Sequence, residues 1–118
     1  MFTRLEIPKS AKHIAACGVG LLLSMTMVAV AWSAEIVVSQ KGKAFSPTSV
    51  TARVGDKIVF RNDDNYAHNI FTLSPAQPFD LGIISKGGQK ELSLTKPGKL
   101  EVECAIHPTM KLLIEVLP

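Results

Sequence analysis

Beyond residue 34 no stretch carries apolar residues at helical spacing for long enough to make a helix, and Gly or Pro interrupts the chain every ten residues or so. That punctuation restricts the fold to short strands joined by turns, an all-β sandwich or barrel. Strands are predicted at Glu35 to Gln40 (EIVVSQ) and Lys57 to Arg61 (KIVFR), and Phe45 to Val54 is expected to be mostly extended, with Val50, Ala52 and Val54 alternating inward. Further strands are predicted at His68 to Leu73 (HNIFTL), Lys90 to Thr95 (KELSLT), Leu100 to Ala105 (LEVECA) and Lys111 to Leu117 (KLLIEVL). The Pro-containing stretch SPAQPFDLG is too irregular for a central strand. Because side chains on a strand alternate between faces, Leu100, Val102 and Cys104 share the core side while Glu101 and Glu103 face outward.

The residues before this region have a different character. Ile14 to Trp32 forms a nineteen-residue apolar run preceded by Arg4, Lys9, Lys12 and His13, the pattern of an export leader over residues 1–34. A-x-A at Ala29 to Ala31 and A-x-S at Ala31 to Ser33 offer cleavage within 31–34; the alternative is an uncleaved anchor, since about 20 apolar residues span a bilayer. Cys17 lies too early in the run to be a lipid-bearing cysteine. Residues 35–118 then hold ten Lys+Arg against nine Asp+Glu, so the whole-chain charge of +3 falls to +1 and gives no ground for nucleic-acid binding. They keep one cysteine, Cys104, and one methionine, Met110, so no internal disulfide staples the domain.

Every soft or imidazole donor near the carboxyl end falls in one loop, C-A-I-H-P-T-M from Cys104 to Met110, stiffened by Pro108. Thiolate, imidazole and thioether together are the donors of soft copper sites. A trigonal site needs one more nitrogen, and His68 is the remaining histidine of residues 35–118. Asn69 beside it is placed to hydrogen-bond across to the ligand loop and hold the two parts in register.

A His-Asn pair some thirty-odd residues upstream of C-x2-H-x2-M resembles the small blue copper proteins, the cupredoxins of the plastocyanin and amicyanin type. The matching segments are AHNIF at residues 67 to 71, KPG at 96 to 98 and VECAIHPTM at 102 to 110. The short spacing between His107 and Met110 is closer to amicyanin and methylamine-utilisation relatives than to plastocyanin. The resemblance implies a cupredoxin-like Greek-key β-sandwich over residues 35–118, preceded by an N-terminal apolar leader helix. It implies one copper cycling between Cu(I) and Cu(II), bound by His68, Cys104 and His107 with Met110 axial. It further implies a monomeric periplasmic one-electron carrier, not an enzyme, with redox protein partners such as a cytochrome c or an amine dehydrogenase. Membrane contact would come only through an uncleaved leader. In the family the loop histidine sits in an apolar surface patch, for which Ile106, Pro108, Pro75 and Pro78 are candidates. Plastocyanin's acidic patch is not evident, since Asp and Glu alternate with Lys along the chain, and docking through strong charge complementarity is not supported.

Other chemistries fit the residues less well. A copper chaperone or storage protein would want several exposed Met or His residues, and residues 35–118 keep one Met. A thiol hydrolase built on Cys104 lacks a nameable orienting residue or oxyanion motif, oxygen chemistry lacks a free coordination position, and thioether is a poor zinc ligand. Asp63-Asp64 reads as a solvated loop rather than a calcium site, and Lys86-Gly87-Gly88-Gln89 as a hairpin turn rather than a phosphate loop.

Overall fold

The computed structural model describes Gly18 and residues 20–118, and the chain divides into one unit ending at Val30 and another from Ala31 to Pro118. The basic segment ahead of the apolar run, and Cys17, lie outside the described residues. Residues 20–34 carry no helix, and the rest of the expected leader helix lies outside the described residues. Among the described residues no helix is long and apolar enough to cross a membrane.

Residues 35–118 form nine strands: β1 (Glu35–Gln40), β2 (Phe45–Ser46), β3 (Ser49–Arg53), β4 (Lys57–Asn62), β5 (His68–Thr72), β6 (Phe79–Ile84), β7 (Gln89–Ser93), β8 (Gly98–Glu103) and β9 (Lys111–Leu117). They pair as two sheets in the orders β2-β1-β4-β7 and β3-β9-β8-β5-β6. β1 runs parallel to β4 and β3 parallel to β9, the other pairs being antiparallel, so the chain repeatedly crosses between layers in a Greek-key β-sandwich. Alternating positions of both sheets meet in one core, among them Val38, Ile58, Phe60, Ile70, Leu100, Val102 and Ile114, all fully buried. Phe45 and Phe60 pack edge to face there, with ring centroids 6.4 Å apart.

Two expectations need correction. The segment Phe45 to Val54 is two strands, because the chain passes from one sheet to the other between Ser46 and Ser49. Val50 and Ala52 point inward, but Val54 is 41% exposed because the chain leaves β3 at Arg53 and turns through Gly55, whose φ of 96° suits glycine. The stretch SPAQPFDLG ends in a six-residue strand, β6. It is indeed not central: it is an edge strand bonded only to β5, with a register shift at Ile70/Phe71, an arrangement that tolerates the nearby Pro78 and the left-handed Gly82.

Four connections gather at one end of the sandwich: residues 41–44, 63–67, 85–88 and 104–110. Asn62, fully buried at the end of β4, ties them together. Its side-chain amide donates to the carbonyls of Tyr66 (2.8 Å) and Ile84 (2.9 Å), and its oxygen accepts from the Asp64 amide (2.9 Å). Its backbone N–H donates to Gly88 and its carbonyl accepts from Gly87. Beside it in the sheet, Gln40 is also fully buried, yet neither atom of its side-chain amide has a partner among the described residues. An unpaired buried amide costs about 1–3 kcal/mol. Gln40→Leu is therefore expected to raise the unfolding free energy read from a urea titration by an amount in that range, whereas an unchanged or lower midpoint would mean the amide is satisfied in solution.

Candidate metal centre

β8 ends at Glu103, where its ladder with β9 begins at Glu103↔Lys111, and Cys104 continues the inward alternation of Leu100 and Val102. The thiol is 1% exposed, as the alternation predicts. The chain then loops through His107 and returns at Met110, whose amide donates to the His107 carbonyl (3.0 Å) and whose side chain is 1% exposed. His68 opens β5 and is fully buried. Backbone pairing between β5 and β8 is reduced to Phe71↔Glu103, and side chains complete the seam. The Asn69 amide donates to Cys104 Sγ (3.3 Å), and Asn69 Oδ1 accepts from the Ala105 amide (3.3 Å). The register-holding role predicted for Asn69 is thus present, and its Nδ2 donates to Asp80 (3.2 Å).

His68, Cys104 and His107 converge. His68 Nδ1 lies 3.8 Å from Cys104 Sγ, His107 Nδ1 lies 3.9 Å from the same sulfur, and the two nitrogens are 3.1 Å apart. A point equidistant from the three atoms is about 2.1 Å from each, close to the ~2.0–2.1 Å and ~2.3 Å that zinc, another first-row ion, keeps to imidazole nitrogen and thiolate. The other ring nitrogen of His68 bears on the state of its Nδ1. Nε2 is 2.6 Å from Asp64 Oδ2, the geometry of a ring N–H donated to a carboxylate, which leaves Nδ1 with a lone pair aimed at His107 Nδ1. At 3.1 Å from His107 Nδ1, that lone pair is satisfied by a cation or a proton held between the two nitrogens. His107 is held below its ordinary histidine pKa by burial first and by the His68 and Lys43 charges next, with Asp64 opposing, which favours the neutral, ligating ring. Two imidazoles and a thiolate in a triangle, with a buried thioether closing the loop, is a donor set that fits copper.

No family model matches this sequence. It is 27% identical over 117 aligned residues to the major plastocyanin isoform of Arabidopsis thaliana chloroplasts, covering 88% of this chain and 70% of the relative. Plastocyanin B of Populus nigra chloroplasts gives the same identity and coverage. Among solved structures, the Cu(I) form of an amicyanin variant superposes with a TM-score of 0.66 at 23% identity, over 75% of this chain and 86% of that one. Fold and site are those of a small blue copper cupredoxin of the plastocyanin and amicyanin type. A copper-containing nitrite reductase from Thermus scotoductus also superposes (TM-score 0.67, 26% identity, 71% of this chain), but the chain spans only 22% of that larger protein.

Within this cupredoxin the sequence left two participants unnoticed. Asp64 is not a solvated loop residue: its carboxylate is 9% exposed, on the His68 ring. Burial disfavours its charge, but the Gly42 amide (2.8 Å), the His68 ring and the Lys43 amide (3.4 Å) outweigh that and hold its pKa below the usual aspartate value. Gly42 and Lys43 reach it because both adopt left-handed backbone, with φ of 64° and 56°. Tyr66 is the second. Its ring centroid lies 5.3 Å from those of both His68 and His107, so it covers the outer side of the pair. The carboxylate-histidine rule for metal ligands was the one available signal for Asp64, four residues before His68. The candidates Pro75 and Pro78 are not near the centre. His68↔Ile84 and Thr72↔Phe79 set the β5–β6 connection at the opposite end of β5, leaving Ile106, 46% exposed, and Pro108 beside His107.

Proposed function

We propose that this protein is an exported one-electron carrier of the periplasm, in which residues 1–34 direct export and residues 35–118 hold one copper. His68, Cys104 and His107 would form the trigonal plane, with Met110 as the weak axial ligand. Copper in that set would supply the Cu(I)/Cu(II) couple. The observation that carries the reading is the triangle of donors drawn together by two different strands and fixed from behind. Asp64 sets the tautomer of His68, Asn69 donates to the sulfur, and the β8–β9 ladder clamps both ends of the loop. Donors held so firmly need little rearrangement between oxidation states, which keeps the barrier to electron transfer low. His68, Cys104 and Met110 are at most 1% exposed while His107 is half-buried, so His107 offers the route to the surface.

That burial also argues against copper delivery, which needs donors a partner can reach, and four filled positions leave none for oxygen chemistry. The expected partners are redox proteins, with a cytochrome c and an amine dehydrogenase as the candidate classes, met by a monomer. The test is a visible spectrum of the purified protein after Cu(II) and then ascorbate. An intense band at about 600 nm that bleaches on reduction is expected; a colourless protein at full copper occupancy would overturn the carrier reading.

A further inference from the structure

The acids and lysines that alternate along the chain are sorted by the fold. At the metal end, Asp63 is engaged by Arg61 (3.0 Å) and Ser39, Glu103 by Lys111 (2.7 Å), and Asp64 is spent on His68. Lys41 and Lys43 in the β1–β2 turn and Lys86 in the β6–β7 turn are exposed at that same end and form no ion pair among the described residues. The two turns approach from different sides. Asp64, bonded to the Gly42 amide, anchors one, and Asn62, bonded to Gly87 and Gly88, anchors the other. At the same end lie Tyr66, 39% exposed and packed on His107, and Ile106, 46% exposed and next to the half-buried His107 in the chain. Lys43 Nζ stands 5.9 Å from the centre of the Tyr66 ring, which itself lies 5.3 Å from His107. The cationic rim is thus in register with the histidine route to the metal.

We infer that Lys41, Lys43 and Lys86 form a docking rim for a redox protein whose own centre is ringed by carboxylates. This rests on the carrier reading and names the chemistry of its partner. The revised expectation is that charge complementarity does guide docking, with this protein as the cationic side, because opposite fields steer encounter and orient the two centres before the apolar middle closes. The exposed tyrosine and isoleucine at the same end favour a protein surface over a bare anionic one.

The first test needs no copper: hexacyanochromate(III), a redox-inert paramagnetic trianion, is titrated into the metal-free protein and amide NMR signals are followed. Broadening is expected at residues 41–44, 66, 86–87 and 106–108, and its reduction in the triple variant Lys41→Gln/Lys43→Gln/Lys86→Gln. Broadening that favours Lys96 and Lys99, at the other end of the sandwich, or that is uniform, would overturn the proposal. The second test follows oxidation of the Cu(I) protein by hexacyanoferrate(III), which takes one electron and leaves as hexacyanoferrate(II). The triple variant is expected to react about tenfold more slowly at low salt, with a flatter salt dependence, while Lys96→Gln/Lys99→Gln stays near the parent rate. Equal rates would overturn it. Sedimentation with phosphatidylglycerol vesicles at 0.1 M salt that is lost in the triple variant would assign the face to lipid instead. Failure of the rim leaves the bleachable band intact, whereas failure of the carrier reading removes the band and leaves the NMR footprint, so the two are told apart.

Discussion

Cys104→Ala is expected to bind copper weakly if at all and to show no intense visible absorption, while Met110→Gln keeps the colour and shifts to a lower reduction potential. The contrast follows from what each donor contributes. Cys104 supplies the thiolate, whose short bond to copper dominates the electronic structure, and its removal leaves two imidazoles facing a methyl group. Met110 would sit at the weak axial position, and replacing a thioether by an amide oxygen favours the harder, oxidised ion. Fold loss is not the expected explanation of the first result. Cys104→Ala removes one sulfur at the rim of the core while Leu100, Val102 and the β8–β9 ladder remain. Visible titration with Cu(II), with circular dichroism as the folding control, decides it. A surviving intense band in Cys104→Ala would remove the thiolate from the centre.

Asp64→Ala should weaken copper binding by about 10–100-fold, the usual effect of removing the partner that orients a ligating histidine. Without the carboxylate, His68 Nε2 loses its acceptor and the proton is free to move to Nδ1, where it would block the metal. The Gly42 and Lys43 amides lose theirs as well. Asp64→Asn retains an oxygen able to accept from the ring and should recover most of the loss. Competition against a copper chelator measures both, and affinity within twofold of the parent for Asp64→Ala would show that the ring is oriented by its packing alone.

The strands and the ligand loop were legible because their signals are local. The period-two pattern of LEVEC put Cys104 inward, and the gathering of Cys, His and Met within seven residues named the centre. Asp64 and Tyr66 were not legible for the opposite reason. A carboxylate in the run Asn62 to Asn65 looks solvated until amides from Gly42 and Lys43, 22 and 21 residues upstream, fold onto it. The cationic rim has the same character: Lys43 and Lys86 are far apart in sequence, and only the turns fastened by Asp64 and Asn62 bring them to one face. β6 escaped because its flanking Pro78 and left-handed Gly82 contradict a central strand, and an edge strand is allowed both.

The sparse pairing of β5 with β8 gives the metal a mechanical role as well. Beyond Phe71↔Glu103 the backbone pairing of the two strands ends, and the donors stand on opposite sides of the seam, His68 on one and Cys104 and His107 on the other. An ion bound there ties two segments 36 residues apart in the chain, across the seam of the sheet where strand pairing is reduced to one residue pair and side chains carry the rest. In a domain without a disulfide it acts as a reversible rivet, so folding and metal loading are coupled, and a ligand change that tunes electron transfer also retunes how firmly the sandwich is closed.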